Sequence, residues 1–492
     1  MASTEPTYRL FINGEWTDGN GEGHLTVVNP ATEEVIARVP EAGIEDLEAA
    51  VTAARVAFDE GPWPRMRPKE RAKIMSRMGE IMHRRRAELV DLNMREAGSV
   101  RGLAEAHQTD APIAHWDDIT DRIIGSYRFV EPLLPVVRSG PKGMIGQGVV
   151  LREPIGVAAL ITPYNFPFFL NVCKLAPALA TGCTTVLKPS PDTPLEALVL
   201  GEIAAEAGLP PGVLNVVTGD VAVSRALTTH PMVDLVSFTG SAAIGRQVYT
   251  QAAQSLKRVV LELGGKSANL IFEDADLERA AASVVDSFTV HAGQGCALLT
   301  RTLVHRNVKD ELLARVRDLA ARIRVGDPAD PATTMGPVIS ASQRERIERD
   351  INSGIESGAS LVFGGARPAN LDRGYFVEPT LFTDVRNSMP IAREEIFGPV
   401  GVVLEFSDQE EAIRMANDSD YGLSGGVWSQ DLSRAYEVGA RLRTGTVHVN
   451  GGGGLSPYPP FGGYKHSGIG VERGEYGLQE YVLLKHVGWG VR

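Results

Sequence analysis

From Ile155 onward, short apolar runs alternate with helix-forming segments, and this rhythm constrains the fold more than any other feature. The runs predicted to be strands cover residues 157–161, 184–188, 213–217 and 235–238, and the predicted helices cover 168–180, 194–208 and 222–229. Short apolar strands alternating with helices favour a parallel, doubly wound sheet. A second alternating section is predicted from near Val259 to about Asn450. The fold class is therefore α/β with two such units.

Outside these units the chain shows three further kinds of segment. Short strands joined by Asn13-Gly14 and other turn formers are predicted at 8–12 and 26–28, and helical spacing runs from about 45 to 107. Residues 128–152 are Val-rich and punctuated by prolines, which predicts an extended surface hairpin or arm. The final run, 478–487, is also predicted to be extended.

Composition excludes several classes of protein. A chain of 492 residues predicts two or three domains, and a net charge of −12 argues against a nucleic-acid partner. Its three cysteines lack a disulfide or zinc spacing, which favours a reducing compartment and predicts no metal site. The N-terminus does not resemble a signal peptide, and the apolar stretch 154–163 is too short to cross a bilayer. We therefore expect a cytoplasmic protein without a membrane partner.

Two glycine-rich runs carry groups suited to covalent chemistry. Cys296 ends the run His291-Ala-Gly-Gln-Gly-Cys296, and Glu262 lies in Leu261-Glu-Leu-Gly-Gly-Lys266. A thiolate attacks carbonyl carbon, and a carboxylate among apolar neighbours has a pKa raised toward that of a general base. The alternatives are a small buried apolar residue, which we expect for Cys173 and Cys183, and a solvated or ion-paired glutamate.

Two other runs suggest binding functions. Asn165 lies between two prolines in Thr162-Pro-Tyr-Asn-Phe-Pro167, where it is either a turn residue or a fixed amide donor for an oxyanion. The run Phe238-Thr-Gly-Ser-Ala-Ala-Ile-Gly245 follows an apolar strand and opens a predicted helix. Such a turn lets a phosphate approach the helix N-terminus, although this run is not the G-x-G-x-x-G fingerprint.

Together with Leu187-Lys-Pro189, these runs resemble the NAD(P)-dependent aldehyde dehydrogenase superfamily from about Phe11 to about His486. The resemblance implies that Cys296 is the nucleophile, that Asn165 and the Cys296 N–H stabilise the oxyanion, and that Glu262 activates the hydrolytic water. Relatives that transfer the acyl group to coenzyme A lack this glutamate, so the resemblance is to the hydrolytic, non-acylating branch. Tyr164 stands where the family usually has tryptophan.

The resemblance also implies a set of cofactor-binding residues. Lys188 would bind the adenosine ribose, while Glu395 and Phe397 would hold the nicotinamide ribose and ring. The full set is Ile161, Thr162, Pro163, Tyr164, Lys188, Ser190, Pro191, Phe238, Thr239, Gly240, Ser241, Ile244, Gly245, Leu263, Gly264, Glu395 and Phe397. Pro191 stands where many NAD-preferring relatives carry a glutamate that binds the ribose 2′-hydroxyl. NADP stays open because the absence of this glutamate reduces repulsion of a 2′-phosphate, while NAD is favoured because the adjacent Asp192 can partly substitute for it.

The implied substrate pocket contains no arginine or lysine at the positions that the resemblance maps. These positions are Phe168, Phe169, Cys173, Gly295, Ala297, Leu455 and Phe461. The glycine run 451–454 is either a flexible loop or a widening of the tunnel. The sequence therefore predicts a roomy, apolar pocket for medium-chain aliphatic or aromatic aldehydes.

Alternative functions remain open at this stage. One is a semialdehyde or betaine-aldehyde dehydrogenase, and another is a catalytically silent dinucleotide-binding or structural protein. We expect a cofactor-binding domain over 1–128 and 150–261, and a catalytic domain over 262–470. By resemblance, the arm and tail over 129–149 and 478–490 would form an oligomerisation element of a homodimer or homotetramer.

Overall fold

A computed structural model describes residues 8–138, 144–452 and 456–491 of the chain. Within these ranges the alternating runs form two mainly parallel sheets and three smaller antiparallel ones. The strands are β1 Leu10–Ile12, β2 Glu15–Thr17, β3 His24–Val28, β4 Val35–Pro40, β5 Val130–Pro132, β6 Val136–Arg138, β7 Met144–Pro154, β8 Val157–Ile161, β9 Thr184–Lys188, β10 Leu214–Val216, β11 Leu235–Thr239, β12 Arg258–Glu262, β13 Ala268–Ile271, β14 Arg301–His305, β15 Ser360–Phe363, β16 Thr380–Thr383, β17 Val400–Phe406, β18 Tyr421–Gly422, β19 Ser424–Trp428, β20 Thr446–Val449, β21 Tyr464–Lys465, β22 Gly468–Ile469 and β23 Val482–Val491.

Helices separate most of these strands and cover both faces of the large sheets. They are α1 Ile44–Asp59, α2 Pro68–Arg84, α3 Arg86–Glu96, α4 Arg101–Leu103, α5 Ala111–Asp117, α6 Ile124–Ser126, α7 Pro167–Thr181, α8 Leu195–Ala207, α9 Val221–Thr229, α10 Ala242–Ala253, α11 Leu277–Thr289, α12 Lys309–Ala320, α13 Ala341–Glu356, α14 Pro390–Arg393, α15 Gln409–Asn417, α16 Leu432–Arg441 and α17 Gly474–Gln479. No helix in the described part of the chain is long and apolar enough to span a membrane.

The first sheet has the described order β2-β1-β10-β9-β8-β11-β12-β22. Its five central strands, β10 to β12 in that order, are parallel, while the β1–β2 hairpin and β22 add antiparallel edges. Asn13 and Gly14 form the two-residue turn of that hairpin with φ of 54° and 80°. The strand order reverses between β8 and β11, and ligands of open α/β sheets bind outside the carboxyl ends of strands at such a point.

The apolar runs are continuous because both faces of each sheet are covered. Along β8, Val157, Ala159 and Ile161 enter one core cluster, whereas Ala158 and Leu160 enter the cluster on the opposite face. Successive strand residues point to opposite faces, so a strand that is buried on both sides has no polar positions to alternate. The apolar residues that predict these strands therefore also stabilise them, because they are buried in the two core clusters.

The second sheet has the described order β15-β16-β17-β14-β13-β19-β20, with only β15 antiparallel. The sequence predicted that the second unit begins near Val259, and this is wrong: β12 pairs with β11 and completes the first sheet. β22 also joins β12, with Glu262 opposite Gly468, although the predicted boundary placed both residues in the catalytic domain. An apolar run identifies a strand but does not identify its neighbours, which explains both differences.

The arm and tail pair with each other. β7 and β23 form an antiparallel ladder from Val482 opposite Pro154 to Val491 opposite Ile145, and β5 and β6 lie on the other side of β7. The segment predicted to be extended at 128–152 contains the strands β5, β6 and β7 within its described part, with loop residues between β5 and β6. The prediction that 478–487 is extended is wrong for its first residues, because α17 continues to Gln479 and β23 begins only at Val482. The ladder leaves one edge of β23 unpaired within the described sheet.

Candidate active site

The loop that carries Cys296 turns sharply before it reaches the cysteine. After α11, the residues His291, Ala292 and Gly293 adopt left-handed conformations with φ of 50°, 51° and 74°. Non-glycine residues rarely adopt this region, and such strain concentrates at functional sites. A Cβ at Gly293 would clash with the carbonyl oxygen of Gly398, so this position requires glycine. The turn leaves Cys296 partly exposed, whereas Cys173 and Cys183 are buried.

The surroundings of the Cys296 thiol disfavour its ionised form. Burial of the sulfur raises its pKa to about 12, and the charges of Glu395 and Glu262 raise it further while Arg473 opposes them. The thiol is therefore protonated at neutral pH in this state, and attack requires a proton acceptor.

Glu262 is the last residue of β12, and its side chain is buried. Neither carboxylate oxygen has a hydrogen-bond partner within the described ranges. Its pKa lies well above the usual value because burial disfavours the charge and Glu472 adds repulsion, against the opposing charges of Lys174 and Arg473. A buried carboxyl group with free oxygens and a raised pKa can take a proton from a weak acid such as water or a thiol.

The Asn165 side chain reaches the cysteine loop directly. Its Nδ2 donates a hydrogen bond to the carbonyl oxygen of Gln294, at 2.8 Å, two residues before Cys296. Gln108 Nε2 donates to the Asn165 carbonyl at 2.9 Å, and Gln294 Oε1 accepts from the Ile339 N–H at 2.9 Å. The asparagine amide is thus held from both sides, which is the fixed donor geometry that an oxyanion needs.

Sequence reasoning missed Gln108 and Gln294 as supports of this geometry. Gln294 is fully buried in the run that ends at Cys296. Its position between two glycines is the sequence feature that could have indicated its structural role. A glutamine buried in a glycine-rich turn has to satisfy its amide locally. Gln108 gives no such signal, because it lies in a π-helical turn far from the motif.

A buried ion pair lies next to Glu262 and was also missed. Lys174 of α7 and Glu472 are almost fully buried, and Nζ and Oε1 are 2.6 Å apart. Lys174 Nζ also donates to Ser237 Oγ at 2.9 Å. Buried charges need such partners, and this pair brings a lysine and a second carboxylate into the electrostatic surroundings of Glu262.

The predicted dinucleotide turn is built as the sequence indicates. β11 ends at Thr239, Gly240 follows, and the hydroxyl of Ser241 caps α10 by accepting a hydrogen bond from the Ile244 N–H at 3.4 Å. A Cβ at Gly245 would lie 2.5 Å from Leu263, so glycine lets the helix pack closely against that residue. The Gly240 N–H donates a hydrogen bond to the Glu262 carbonyl at 3.1 Å, which links this turn to the end of β12.

Most of the remaining predicted cofactor residues follow the carboxyl ends of the neighbouring strands. Ile161 ends β8 at the strand-order reversal, Lys188 ends β9, and Phe238 lies at the end of β11. Thr162, Pro163 and Tyr164 follow β8, Ser190 and Pro191 follow β9, and Leu263 and Gly264 follow β12. The structure therefore brings these residues to one edge of the first sheet, which is the place where a dinucleotide binds in such sheets.

Two observations indicate that this edge fits a dinucleotide. Thr239 Oγ1 is buried without a hydrogen-bond partner within the described ranges, and the first turn of α10 presents backbone N–H groups at an exposed surface. Lys188 is almost buried, and burial lowers its pKa to about 8, with Asp220 and Asp192 opposing. A single lysine held at a strand end can donate to ribose hydroxyls.

Glu395 and Phe397 reach this edge from the second unit, in the loop before β17. Glu395 Oε1 accepts a hydrogen bond from the Gly265 N–H at 3.0 Å, and burial raises its pKa to about 7. Phe397 has a left-handed φ of 56°, and its ring lies edge-on to Tyr164 at 6.0 Å. The two units thus meet around the predicted nicotinamide position.

The predicted substrate residues do not all face the same space. Phe168 was predicted to line the pocket, but its side chain is fully buried and packs in the core beneath the first sheet. α7 begins at Pro167, and one helical step of about 100° separates Phe168 from Phe169, which is partly exposed. Cys173 follows Phe169 by one helical turn on the same face and is buried.

The cysteine loop and Phe461 supply the other described positions of this lining. Gly295, Ala297 and Phe461 are partly exposed, and Leu455 lies outside the described residues. The Phe461 backbone pairs with Glu472 through two hydrogen bonds of 2.8 and 2.6 Å. This pairing places the next residue, Arg473, beside Phe461.

Arg473 was not among the predicted pocket residues, but the structure places its guanidinium beside two of them. Its guanidinium carbon lies 4.4 Å from the ring centre of Phe461 and 4.9 Å from that of Phe169. The pocket was predicted to be apolar because none of the positions mapped by resemblance carries arginine or lysine, and this remains true of those positions. The cation comes from a neighbouring segment that no local motif marks.

The chain combines a doubly wound sheet and its glycine turn with a thiol, a buried carboxylate and an amide held by hydrogen bonds. This combination is typical of dinucleotide-dependent oxidoreductases that use a cysteine nucleophile. Comparison with known proteins agrees with this class. Residues 16–487 match the model of the aldehyde dehydrogenase family. Betaine aldehyde dehydrogenase of Bacillus subtilis (strain 168) is 41% identical over 490 residues, which cover 97% of this chain and 96% of that protein.

Solved structures show the same relationship. A Mycobacterium tuberculosis aldehyde dehydrogenase complexed with NAD+ superimposes with a TM-score of 0.93 at 43% identity, covering 98% of each chain. A cysteine-to-alanine mutant of aldehyde dehydrogenase C from Pseudomonas syringae, complexed with NAD+ and octanal, gives a TM-score of 0.91 at 40% identity, covering 98% of this chain and 96% of that one. The chain belongs to the aldehyde dehydrogenase family and is an oxidoreductase that acts on aldehydes.

Proposed function

We propose that this enzyme oxidises an aldehyde to a carboxylic acid through a covalent intermediate on Cys296, with NAD+ as the hydride acceptor. The observation that carries the proposal is the direct contact of Asn165 with the cysteine loop, 2.8 Å from the Gln294 carbonyl, beside the unpaired carboxylate of Glu262. A nucleophile, an oxyanion donor and a proton acceptor then surround one reacting carbon.

In the first step the Cys296 sulfur forms a bond to the aldehyde carbon, and the thiol proton leaves to a base. The carbonyl oxygen becomes an oxyanion, which accepts hydrogen bonds from Asn165 Nδ2 and the Cys296 N–H. Because the protein raises the pKa of Cys296 to about 12, a nearby proton acceptor is required, and Glu262 can serve.

NAD+, when bound, would supply the acceptor for the hydride that leaves this carbon, and a thioester would remain on Cys296. Glu262 releases the thiol proton to solvent and then takes a proton from water, while the oxygen of that water bonds to the thioester carbon. The carbon–sulfur bond breaks, the acid leaves, and the sulfur regains a proton. Each of these roles uses a side chain that the fold holds at a strand end or in a fixed loop.

The substrate is predicted from the sequence to be a medium-chain aliphatic or aromatic aldehyde. Phe169 and Phe461 support an apolar wall, and the Pseudomonas syringae relative was crystallised with octanal. A semialdehyde is the second candidate, because Arg473 lies between these two rings. Betaine aldehyde is the substrate in the name of the Bacillus subtilis relative, but its cationic head would meet the Arg473 charge.

The test is NADH formation by the wild-type enzyme with hexanal, benzaldehyde, succinate semialdehyde and betaine aldehyde. We expect turnover of at least one aldehyde with release of the free acid. A correctly folded enzyme that binds NAD+ and oxidises none of the four would contradict the proposal.

A glutamate at position 191 is expected to sharpen the choice of cofactor. Pro191 and Asp192 are exposed just beyond Lys188, and no glutamate stands there to repel a 2′-phosphate. In Pro191→Glu, we expect kcat/KM with NADP+ to fall about tenfold or more, since the new carboxylate repels the phosphate, while the value with NAD+ changes little. Pro191→Gln is the uncharged control, and an equal loss with both cofactors in Pro191→Glu would refute the assignment of this position.

The arm and tail are proposed to hold a homodimer or homotetramer together. Apolar side chains are exposed along them: Val136 is 66% exposed, Val137 is 70% and Leu484 is 70%. An unpaired strand edge beside exposed apolar residues favours association with another copy.

Replacing Leu484 by aspartate is expected to shift the enzyme to smaller assemblies in light scattering coupled to gel filtration. A charge on an apolar contact surface has to be desolvated on association. Leu256→Asp is the matched control, because Leu256 is 92% exposed on a turn outside the arm. The same oligomeric state in wild type and Leu484→Asp, at all concentrations, would argue against this surface.

A further inference from the structure

Two aromatic rings lie beside the guanidinium of Arg473. The Phe461 ring centre lies 4.4 Å from the guanidinium carbon, and the Phe169 ring centre lies 4.9 Å from it. Aromatic rings attract a guanidinium through its flat faces, whereas its N–H donors lie in its plane. The in-plane donors are therefore the part that can bind another group.

Within the described ranges, no carboxylate forms an ion pair with Arg473. The neighbouring Glu472 is already paired with Lys174 at 2.6 Å. Two groups on which the Arg473 charge acts are neutral at neutral pH: the thiol of Cys173, whose pKa burial raises to about 12, and His115, whose pKa burial lowers to about 3. A half-buried cation among rings and neutral groups lacks the anion that normally compensates its desolvation.

The backbone at Arg473 is also strained. Its φ is 70°, in the left-handed region that side chains other than glycine, asparagine and aspartate seldom adopt. Such conformations persist where the surrounding structure imposes them, and they concentrate at binding sites. Here the Phe461–Glu472 pairing on one side and the start of α17 on the other fix the conformation.

The position of the guanidinium relative to the reacting groups shows what kind of anion could bind. Arg473 contacts Phe169 and Phe461, two residues that the resemblance places in the substrate tunnel. Its charge lowers the pKa of Cys296 and of Glu262, against the larger effect of burial. The implied tunnel lining also includes Gly295 and Ala297 on either side of Cys296, so an anion bound at Arg473 would lie along the path that the resemblance gives the substrate. A molecule that has an aldehyde at one end and a carboxylate at the other satisfies both contacts at once.

We propose that Arg473 is a specificity-determining residue that selects aldehydes bearing a carboxylate remote from the carbonyl. This inference rests on the proposed function and replaces the apolar substrate predicted from the sequence with an ω-carboxylated one. The two rings hold the guanidinium while its edge pairs with the carboxylate. A trimethylammonium aldehyde meets repulsion at the same point.

The experiment compares kcat/KM for malonate, succinate and glutarate semialdehydes with propanal, butanal and pentanal, and adds betaine aldehyde. The wild type is expected to favour its best semialdehyde over the uncharged aldehyde of equal length by about tenfold or more, since a charge-assisted hydrogen bond contributes at least that factor. Arg473→Met is expected to remove this preference mainly through KM, and Arg473→Lys to restore part of it.

Arg434→Met is the matched control. Arg434 also lies over an aromatic ring, at 4.8 Å from Phe272, but it is ion-paired with Glu273 at 3.0 Å. Its loss removes one stacked arginine and should leave the preference for semialdehydes unchanged. The rate at which iodoacetamide alkylates Cys296 is measured in the same variants, because a cation that acts only on the thiol would change this rate.

The outcomes separate the inference from the proposed function. Turnover of uncharged aldehydes without any preference for semialdehydes in the wild type overturns the role of Arg473 and leaves the function intact, even if Arg473→Met does not fold. A uniform loss of activity for all aldehydes together with slower alkylation also overturns it, since Arg473 would then act on the thiol. No turnover of any aldehyde by the folded wild type contradicts the proposed function itself.

Discussion

Replacing Cys296 by alanine is expected to abolish aldehyde oxidation, with a loss of about 10⁴-fold or more in kcat. The side chain supplies the sulfur that holds the substrate carbon during hydride loss and during hydrolysis. No other thiol can replace it, because Cys173 and Cys183 are the remaining cysteines and both are buried. The measurement is NADH formation with excess aldehyde.

Binding of NAD+ distinguishes lost chemistry from lost folding in this variant. The predicted cofactor residues lie at the ends of β8, β9 and β11, and the alanine leaves them unchanged. We therefore expect Cys296→Ala to bind NAD+ within about threefold of the wild-type affinity, since a cavity of one sulfur atom disturbs little at a partly exposed site.

Cys183→Ala is the matched control for Cys296→Ala. Cys183 is fully buried, and its sulfur lies 3.4 Å from the Tyr481 carbonyl oxygen and 3.6 Å from Thr181 Oγ1. Its removal should lower thermal stability slightly and leave turnover in place. Residual activity of Cys296→Ala within tenfold of the wild type would show that the covalent route is wrong.

The sequence was sufficient for the elements whose signal is local. Val157–Ile161 is a continuous apolar run and Thr184–Lys188 is rich in β-branched residues, and the structure has strands with these same bounds. α7 begins at Pro167 and is followed by Gly182 with φ of 101°, which are the usual start and stop signals of a helix. Such features depend on a few neighbouring residues and can be read directly.

Features that depend on distant residues could not be predicted in this way. The membership of β12 in the first sheet follows from its pairing with β11 and β22, and an apolar run does not specify its partners. The orientation of Phe168 and Phe169 depends on where α7 begins, because one residue changes the buried face. Arg473 lies beside Phe461 because Phe461 pairs with Glu472, a contact that no spacing in the sequence indicates.

The predicted catalytic residues form an intermediate case. Their identities came from the resemblance, but their states come from the fold. Glu262 has free oxygens and a raised pKa only because β12 ends in a buried corner beside the Lys174–Glu472 pair. The Asn165 amide is fixed at the cysteine loop because Gln108 Nε2 donates to its backbone carbonyl and its own Nδ2 donates to the Gln294 carbonyl.

Replacing Glu262 by glutamine is expected to stop the reaction after one turnover. Glutamine has nearly the same shape but cannot take a proton from water, so the thioester on Cys296 should accumulate. Stopped-flow measurement should show a burst of about one NADH per Cys296, followed by a steady rate that is lower by about 10²- to 10⁴-fold. Mass spectrometry of the stalled enzyme should detect the acyl group on Cys296.

The dependence of the steady rate on pH tests the same assignment. Burial and the charge of Glu472 raise the pKa of Glu262, so its proton-accepting form increases as the pH rises through that raised value. The wild-type hydrolysis rate should therefore increase with pH over this interval. The residual rate of Glu262→Gln should lack that rise, because position 262 no longer titrates.

Glu405→Gln is the control, since Glu405 is an exposed residue of β17 that pairs with Lys309. It should show full turnover and the wild-type pH profile. The burst also separates the two roles open to Glu262. If this carboxylate acts only on water, the burst in Glu262→Gln keeps its rate, whereas a slowed burst of full amplitude means that it also takes the proton of Cys296. An absent burst with bound NAD+ would contradict the assignment of Glu262 to hydrolysis, because the thioester would then never form.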